Sequence, residues 1–314
     1  MKWLIGLLVV LVALGGFSYW AAIDGEAPAH SQGEINLAAY RTLVANDASQ
    51  NLPTAIRIEF VAHSLAPGFA AEAGAFNAGQ RTFSYNSYAI ATPEGDIIVD
   101  GAVDRATLNQ MSNNQGGFDA AAYQRVLTAM EHARAIMITH EHLDHVMAVA
   151  RHPSPALIGP RLRLTQAQLD GLPQHAPNGV LAPEIADAAP LDLTTPQRIA
   201  PGVVAAAAPG HAPGEIVIYV RTPGRDYLLI GDIAWVYDSV VHARGRPRFI
   251  RWIMPGVDPD RPRVLRQLRE LHDISVAEPN LVILPAHDDA YLRGLVARNV
   301  LVAGFDAAPA RDSN

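Results

Sequence analysis

Four side chains able to coordinate a metal ion fall within six consecutive positions of the chain. They lie in the run Thr-His-Glu-His-Leu-Asp-His at residues 139–145 and are His140, His142, Asp144 and His145. An apolar, strand-like run at residues 135–138 leads directly into them. Imidazole and carboxylate groups are ligands of first-row metals, and closely spaced ligands converge at a strand-to-helix corner. The cluster predicts a metal site, whereas the ordinary alternative is a solvated polar loop.

Three further ligand candidates each follow an apolar segment. His211 comes after residues 203–208, Asp232 after residues 227–230, and His287 after residues 281–284. Each one alone has an ordinary explanation, either a partly buried histidine or a turn or helix cap. Because the same order recurs three times, we expect several strands to deliver side chains to one edge of a sheet.

The full pattern resembles that of the metallo-β-lactamase fold superfamily of metallohydrolases. The resemblance covers residues 54–300, and the matched pattern is His140-x-His142-x-Asp144-His145, then His211, Asp232 and His287. The resemblance implies the α/β class, with a four-layer αβ/βα sandwich preceded here by an N-terminal hydrophobic helix. It also implies two divalent metal ions, zinc first, with iron or manganese as alternatives.

The resemblance also assigns the ligands to two metal sites. The ligands implied for the first ion are His140, His142 and His211. Those implied for the second are Asp144, His145 and His287. The implied bridge between the two ions is Asp232.

Two adjacent cations explain why these residue types recur together. They lower the pKa of a shared water, so that hydroxide exists near neutral pH, and they polarise the group under attack. A bridging carboxylate at Asp232 reduces the repulsion between the ions. Asp144 is the candidate catalytic acid/base, since its second oxygen can orient the hydroxide and return a proton to the leaving group. Glu141 is expected to be solvated or to support a ligand.

The pattern predicts a hydrolase but does not choose the substrate. The leading interpretation is hydrolysis of a small ester, thioester, lactone or other acyl compound. The alternatives are a lactam- or phosphodiester-hydrolysing member of the same superfamily, a redox protein that uses iron, and a non-enzymatic metal-binding scaffold at the membrane. His142 disfavours the redox alternative, because the family's flavodiiron proteins have glutamate there.

Composition reduces the number of possible function classes. The chain has 314 residues, of which 49% are hydrophobic, enough for one large α/β domain. Its formal net charge of −7 disfavours a nucleic-acid partner and leaves a small-molecule substrate as the expected one. There are no cysteines, which excludes disulfides, thiolate metal ligands and a cysteine nucleophile. The oligomeric state is left open.

The N-terminal segment is the second strong signal. Residues 3–23 carry no charge and are long enough, as a helix, to cross about 30 Å of hydrocarbon. Lys2 precedes them, and Asp24 and Glu26 follow, so the catalytic body is expected on the periplasmic or extracellular side. We interpret residues 1–23 as a signal anchor or a cleaved signal peptide, 24–53 as a linker and 54–314 as the hydrolase domain. Helical spacing at 36–44 predicts one short helix in the linker, which either packs on the domain or stays mobile.

Residues 234–257 are the candidate substrate loop. Trp235 and Tyr237 are candidate substrate contacts, and arginines stand at 244, 246, 248 and 251. The loop predicts an apolar wall with cationic groups for a carboxylate-bearing or amphipathic acyl substrate. Alternatively, its arginines pair with local acids. Trp235 stands where the acyl-homoserine lactonases of the resembled family carry tyrosine, and Tyr237 is a possible substitute.

The rest of the sequence predicts the strands and helices that position these residues. Asp100-Gly101 resembles a first, non-ligating motif and is expected to brace the site loops. Alternation and helical spacing predict strands at 55–62, 82–91, 97–99, 203–208, 215–221 and 226–230, and helices at 120–132, 145–151, 260–273 and 290–298.

Overall fold

The computed structural model describes residues 2–306. In this part of the chain eleven strands form two sheets. The strands are β1 (Ala55–Pro67), β2 (Gln80–Ala91), β3 (Ile97–Val99), β4 (Gly117–Phe118), β5 (Ala135–Met137), β6 (Gln197–Ala200), β7 (Val203–Ala207), β8 (Ile216–Arg221), β9 (Asp226–Leu229), β10 (Leu281–Leu284) and β11 (Val302–Ala303).

Twelve α-helices accompany the strands in the same described range. They are α1 (Lys2–Ala22), α2 (Leu37–Leu43), α3 (Arg105–Met111), α4 (Ala120–His132), α5 (Leu143–Ala150), α6 (Pro155–Ile158), α7 (Gln166–Gly171), α8 (Pro183–Ala186), α9 (Tyr237–Val241), α10 (Ile250–Ile253), α11 (Arg261–Ala277) and α12 (Asp289–Ala297).

The two sheets are both mixed. The first has the order β11-β1-β2-β3-β5, with β4 paired to β1. Strands β2 and β3 pair antiparallel, and β5 lies parallel to β3. The second sheet has the order β10-β9-β8-β7-β6. Strands β7, β8 and β9 are antiparallel neighbours, and β10 is parallel to β9. Strands β7, β9 and β10 therefore run in one direction and end at one edge.

Side-chain alternation in the strands builds the layers. Val203 and Ala205 of β7 pack into the core between the sheets, together with Ile58 of β1. Val204 and Ala206 point to the other face, where α2, α9 and α11 cover the second sheet. Helices α4 and α5 cover the outer face of the first sheet. Because successive strand residues face opposite sides, one short apolar run serves two cores. The result is the predicted four-layer αβ/βα sandwich with an N-terminal apolar helix.

Helix α1 is the one helix in residues 2–306 that is long and apolar enough to cross a membrane. Its side chains are exposed almost throughout, and the buried one is Ala21. A solvent-exposed apolar helix of 21 residues has no stabilising contact along most of its length. A bilayer would supply that contact.

Residues 24–53, expected to be a linker, lie against the body in this structure. Leu37 and Tyr40 of α2 belong to the core on the outer face of the second sheet. The carboxylate of Glu270 in α11 accepts hydrogen bonds from the backbone N–H groups of Glu34 and Ile35 at 2.7–3.1 Å. These buried contacts attach the segment to the sandwich.

Candidate metal centre

The first four candidate ligands lie at the corner between β5 and α5. His140 and His142 follow the strand, and Asp144 and His145 form the first turn of the helix. The corner is held by Asp100, whose Oδ1 accepts a hydrogen bond of 2.6 Å from the Thr139 backbone N–H. This contact confirms the bracing role predicted for Asp100.

The other three candidates come from the second sheet. His211 follows β7, Asp232 follows β9 within the short 3-10 turn Gly231–Ile233, and His287 follows β10. Since these strands end at the same edge, their side chains meet those of the β5–α5 corner. The structure brings all seven predicted ligands into one buried cluster.

The cluster divides into two sets of donor atoms. His140, His142 and His211 can place one ligand atom each within 4.8 Å of one another, and Asp144, His145 and His287 can do the same. In the first set, His142 Nδ1 lies 3.0 Å from His211 Nε2. In the second, His145 Nε2 lies 3.3 Å from His287 Nε2. A third group, His140, His145 and Asp232, meets the same distance limit and joins the two sets. The assignment of ligands to two ions that the family resemblance implies stays a prediction.

Asp232 lies between the two sets. Its Oδ1 is 3.0 Å from His287 Nε2 and 3.4 Å from His145 Nε2. Its Oδ2 is 3.4 Å from His211 Nε2 and 3.9 Å from His140 Nε2. One carboxylate oxygen thus faces each set, which is the geometry required of a bridging ligand.

The donor atoms fit metal cations. His140 Nε2 and Asp232 Oδ1 are buried and have no hydrogen-bond partner among the described residues. An unpaired buried polar atom costs about 1–3 kcal/mol. Nitrogen and oxygen lone pairs that converge in a buried space are the donor set that zinc and other first-row cations bind.

Hydrogen bonds orient three of the histidines. His145 Nδ1–H donates to Asp100 Oδ2 at 3.1 Å, and His287 Nδ1–H donates to the Ser84 carbonyl at 2.9 Å. His211 Nδ1–H donates to Asp258 Oδ1 at 2.9 Å. A proton held on Nδ1 leaves the Nε2 lone pair directed at the cluster.

The pKa values of the histidines are shifted in opposite directions in the two sets. Burial lowers the pKa of His140 well below its ordinary value and lowers that of His142 to about 3. Burial also acts to lower the pKa of His145, but the carboxylates of Asp100 and Asp144 outweigh it and raise the pKa well above the ordinary value. The pKa of Asp232 is held well below its ordinary value because His287 and His145 outweigh its burial. His140 and His142 are therefore neutral, the form in which a histidine coordinates a metal ion.

Glu215 supports the centre and was missed in the sequence. Its Oε1 accepts a hydrogen bond of 3.0 Å from the Asp232 backbone N–H, and its Oε2 is 3.4 Å from His140 Nδ1. Burial and the nearby Asp232 raise its pKa well above the ordinary value. A carboxylate directly before the apolar strand β8 was the available signal, since glutamate is rarely fully buried without a partner.

Glu141 is not solvated. Its carboxylate is buried and accepts a hydrogen bond of 3.1 Å from the Gly214 backbone N–H. Burial raises its pKa. It joins the metal-ligand corner to the loop after His211, which is the supporting role that the sequence left open.

Arginines of the substrate loop pair with local acids. Arg246 is buried and forms an ion pair with Asp258, the residue that orients His211. Arg244 pairs with Glu26 at 2.8 Å and Arg248 with Asp24 at 2.6 Å. These contacts favour the second interpretation of the loop, in which its charges are used within the protein.

The two predicted substrate contacts occupy different environments. Trp235 lies next to the centre, with its ring centroid 6.3 Å from that of His287, and its indole Nε1–H donates to Asp232 Oδ2 at 2.6 Å. Tyr237 stacks on Tyr291, with ring centroids 4.4 Å apart. The structure therefore places Trp235 at the cluster and directs the ring of Tyr237 to a neighbouring aromatic residue.

Tyr85 is a second residue that the sequence did not single out. Its ring packs edge-on against His287, with centroids 5.4 Å apart, and its hydroxyl is 2.7 Å from Ser64 Oγ. Burial and the charge of Asp144 raise its pKa. The sequence pattern of β2 does not distinguish this tyrosine from Tyr88. Only the folded structure places Tyr85 beside the candidate ligand His287.

Comparison with known proteins agrees with this geometry. A family model described as "Metallo-beta-lactamase superfamily" matches residues 81–287. A solved quorum-quenching N-acyl homoserine lactone lactonase superimposes with a TM-score of 0.56 at 15% identity, covering 79% of this chain and 96% of that one. A probable metal-dependent hydrolase from Staphylococcus aureus gives a TM-score of 0.55 at 14% identity, with coverage of 76% and 91%.

At these identities the solved structures show the fold alone. No match is found among curated proteins. The family model spans more than half of the chain and includes all seven clustered residues. The chain therefore belongs to the metallo-beta-lactamase superfamily and is a metallohydrolase by family.

Proposed function

We propose that the protein is a dinuclear zinc hydrolase that cleaves a small ester, thioester, lactone or other acyl bond. The observation that carries the proposal is the position of Asp232, which directs one oxygen to each of two three-residue donor sets. Two cations bound there would supply activated water at neutral pH and polarise the acyl carbonyl. The remaining chemistry falls to the protein's own side chains.

Asp144 is the proposed catalytic acid/base. Its side chain is 16% exposed, more than any of its neighbours in the second set, and its Oδ2 is 3.4 Å from His287 Nε2. An oxygen not used for coordination can accept a proton from water and pass it to the leaving group. Partial exposure gives that proton a route to the substrate.

Tyr85 is the proposed hydroxyl donor to the substrate. In the lactonases that the sequence resembles, a tyrosine stands three positions after the bridging aspartate. Here Trp235 occupies that position and its N–H is already bonded to Asp232. The Tyr85 ring packs against His287, and its hydroxyl can supply a hydrogen bond to a carbonyl oxygen instead.

The surroundings of the centre favour an apolar acyl group. Trp235 belongs to a buried apolar cluster with Phe83, Val236, Ile250 and Val257. The nearest loop arginine, Arg246, is neutralised by Asp258. An apolar wall of this kind binds the acyl chain of a substrate better than a carboxylate group on that substrate. The fold likeness to solved N-acyl homoserine lactone lactonases supports this substrate class.

We also propose that α1 anchors the enzyme in a membrane, with the catalytic body on the non-cytoplasmic side. The support is the length and apolar character of α1 and the charge distribution around it. Nucleic acid is not an expected partner, because the net charge is −7.

A substrate panel tests the function. Full-length zinc-loaded protein would be assayed on lactones, thioesters, β-lactams and phosphodiesters, next to Asp144→Asn and to Asp170→Asn as an exposed-carboxylate control. We expect hydrolysis of acyl compounds that is lost in Asp144→Asn and kept in the control. Turnover confined to phosphodiesters or β-lactams, or undiminished in Asp144→Asn, would overturn the proposal.

A further inference from the structure

An exposed aromatic and aliphatic surface surrounds the junction between α1 and the catalytic body. Trp252, Ile253 and Met254, at and after the end of α10, are 56%, 68% and 41% exposed. Phe249 precedes them and contacts Phe69, with ring centroids 6.0 Å apart. We name residues 249–254, which include helix α10 and the exposed Arg251, the apolar loop. Large side chains are rarely left exposed in a row unless a partner covers them.

The apolar loop is continuous with the candidate membrane helix. The Trp252 ring stacks on Phe17 of α1, with centroids 5.8 Å apart and planes inclined by 7°, and it also contacts Trp20 at 6.1 Å. Phe17 lies five residues before the end of α1, roughly 7.5 Å along the helix axis at 1.5 Å per residue. If α1 spans a bilayer, Trp252 must therefore lie at the level of the lipid, not in bulk water.

Backbone hydrogen bonds and close contacts fix the apolar loop against the end of α1. The backbone N–H of Phe249 donates to the Ala21 carbonyl at 3.2 Å, and that of Gly245 donates to the Gly25 carbonyl at 2.8 Å. A Cβ atom at Gly25 would lie 2.4 Å from Ala73 Cβ, so the chains approach as closely as glycine allows. Asp24 receives hydrogen bonds from Arg248 and, through its carbonyl, from Arg261.

The apolar loop also leads to the metal centre. Ile250 and Val257 pack in the same buried cluster as Trp235, which is bonded to Asp232. Gly256 approaches His142, since a Cβ atom built on it lies 3.9 Å from His142 Nε2. Two residues later, the Asp258 backbone N–H donates to the His211 carbonyl at 3.1 Å. Packed apolar side chains thus connect the lipid-level surface with residues that lie next to the candidate ligands.

We propose that the apolar loop docks on the lipid bilayer and admits substrate from it, so that the physiological substrate is a membrane-borne long-chain acyl compound. The docking half rests on the stacking of Trp252 on α1. The substrate half rests on the proposed function and deepens it. Exposed tryptophan and isoleucine at an interface bury apolar area in lipid, and tryptophan favours the boundary between lipid and water.

The docking half is tested by lipid quenching, which needs no enzymatic activity. The chain has no cysteine, so Ile253→Cys in the full-length protein accepts one environment-sensitive fluorophore. Val276→Cys is the matched control, because Val276 is 71% exposed and lies near the far end of α11, about 22 Å along the helix axis from Arg261. Both proteins would be reconstituted in phosphatidylcholine vesicles containing acyl-chain spin-labelled lipid.

We expect at least about twofold quenching at position 253 and none at position 276, since a docked loop lies within reach of the acyl chains. Equal quenching at the two positions would overturn docking.

The substrate part of the proposal is tested by the ratio of hydrolysis of vesicle-borne long-chain acyl compounds to that of soluble short-chain ones. We expect Ile253→Asp to lower this ratio about tenfold, because a charge opposes lipid contact. Val276→Asp should leave the ratio unchanged. An unchanged ratio in Ile253→Asp would overturn delivery from the membrane. Absence of acyl hydrolysis in every protein would overturn the proposed function and leave the quenching result standing.

Discussion

Trp235 donates its indole N–H to Asp232 Oδ2 over 2.6 Å, and both side chains are buried. The guanidinium of Arg246 lies over the indole ring, 4.9 Å from its centroid, and pairs with Asp258, which in turn orients His211. The proposed bridging carboxylate, Asp232, and a proposed ligand of the first set, His211, are thus held by one connected group. Orientation by such neighbours strengthens metal binding.

Replacing Trp235 by phenylalanine removes this N–H and keeps an aromatic ring. We expect Trp235→Phe to weaken metal binding about tenfold, because the Asp232 carboxylate is freer to rotate. Competition with a fluorescent chelator measures the affinity. Trp252→Phe, at an exposed tryptophan, is the control. Equal affinities in the two variants would show that the indole contact does not position Asp232.

Asp144→Asn removes the proposed acid/base and a negative ligand at once. We expect kcat for an acyl ester to fall by about 100-fold or more, in the range typical of lost general acid/base catalysis. The second metal should also bind more weakly, while the first remains. Steady-state kinetics at saturating zinc separate the two effects. A kcat within threefold of wild type, a loss far below about 100-fold, would remove Asp144 from the mechanism.

Tyr85→Phe tests the proposed hydroxyl donor. We expect kcat for acyl esters to fall about tenfold, the effect of one lost hydrogen bond of about 1.4 kcal/mol in the transition state. Metal content should not change, since Tyr85 is outside both donor sets. Tyr123→Phe, on α4, is the matched control because its ring packs on Phe118. Equal kcat values for the two variants would argue against a role for Tyr85.

Gly231 lies at the site in a backbone conformation that favours glycine and leaves no room for a side chain. Its φ is +49°, and a Cβ atom there would lie 2.1 Å from Glu215 Oε1. We expect Gly231→Ala to lower the free energy of unfolding by about 1–3 kcal/mol and to displace the Glu215–Asp232 contact. Thermal unfolding of the metal-free protein measures this. Gly224→Ala, with open space around it, should be neutral; equal melting temperatures would contradict the expectation.

Local patterns were sufficient to predict the candidate ligands that the structure brings together and most of the elements. Each ligand follows an apolar strand, and the strand direction fixes where its last side chain lies, so His211, Asp232 and His287 could be placed at one edge. The helix predicted at 260–273 extends to Ala277 and begins at Arg261, with Asp260 capping it. The helix predicted at 145–151 begins earlier, at Leu143, because the ligand corner itself turns into the helix.

Contacts between distant segments could not be predicted from local patterns. Tyr85 has ordinary sequence surroundings, and Glu215 is marked only by its place directly before an apolar strand. The partners of both residues appear only when the two sheets meet. The arginines of the loop were ambiguous for the same reason, because Arg248 pairs with Asp24 from a segment 224 residues away. Likewise, composition made residues 24–53 look like a linker, whereas the partners that hold them, such as Glu270, lie at the other end of the chain.

Elemental analysis of the purified full-length protein tests the central claim most directly. After loading with zinc and removal of free metal, we expect two metal ions per chain, and fewer in Asp232→Ala, which removes the carboxylate shared by both donor sets. Wild-type protein that retains fewer than one ion per chain, or an Asp232→Ala variant that retains the full wild-type content, would contradict a shared two-metal site.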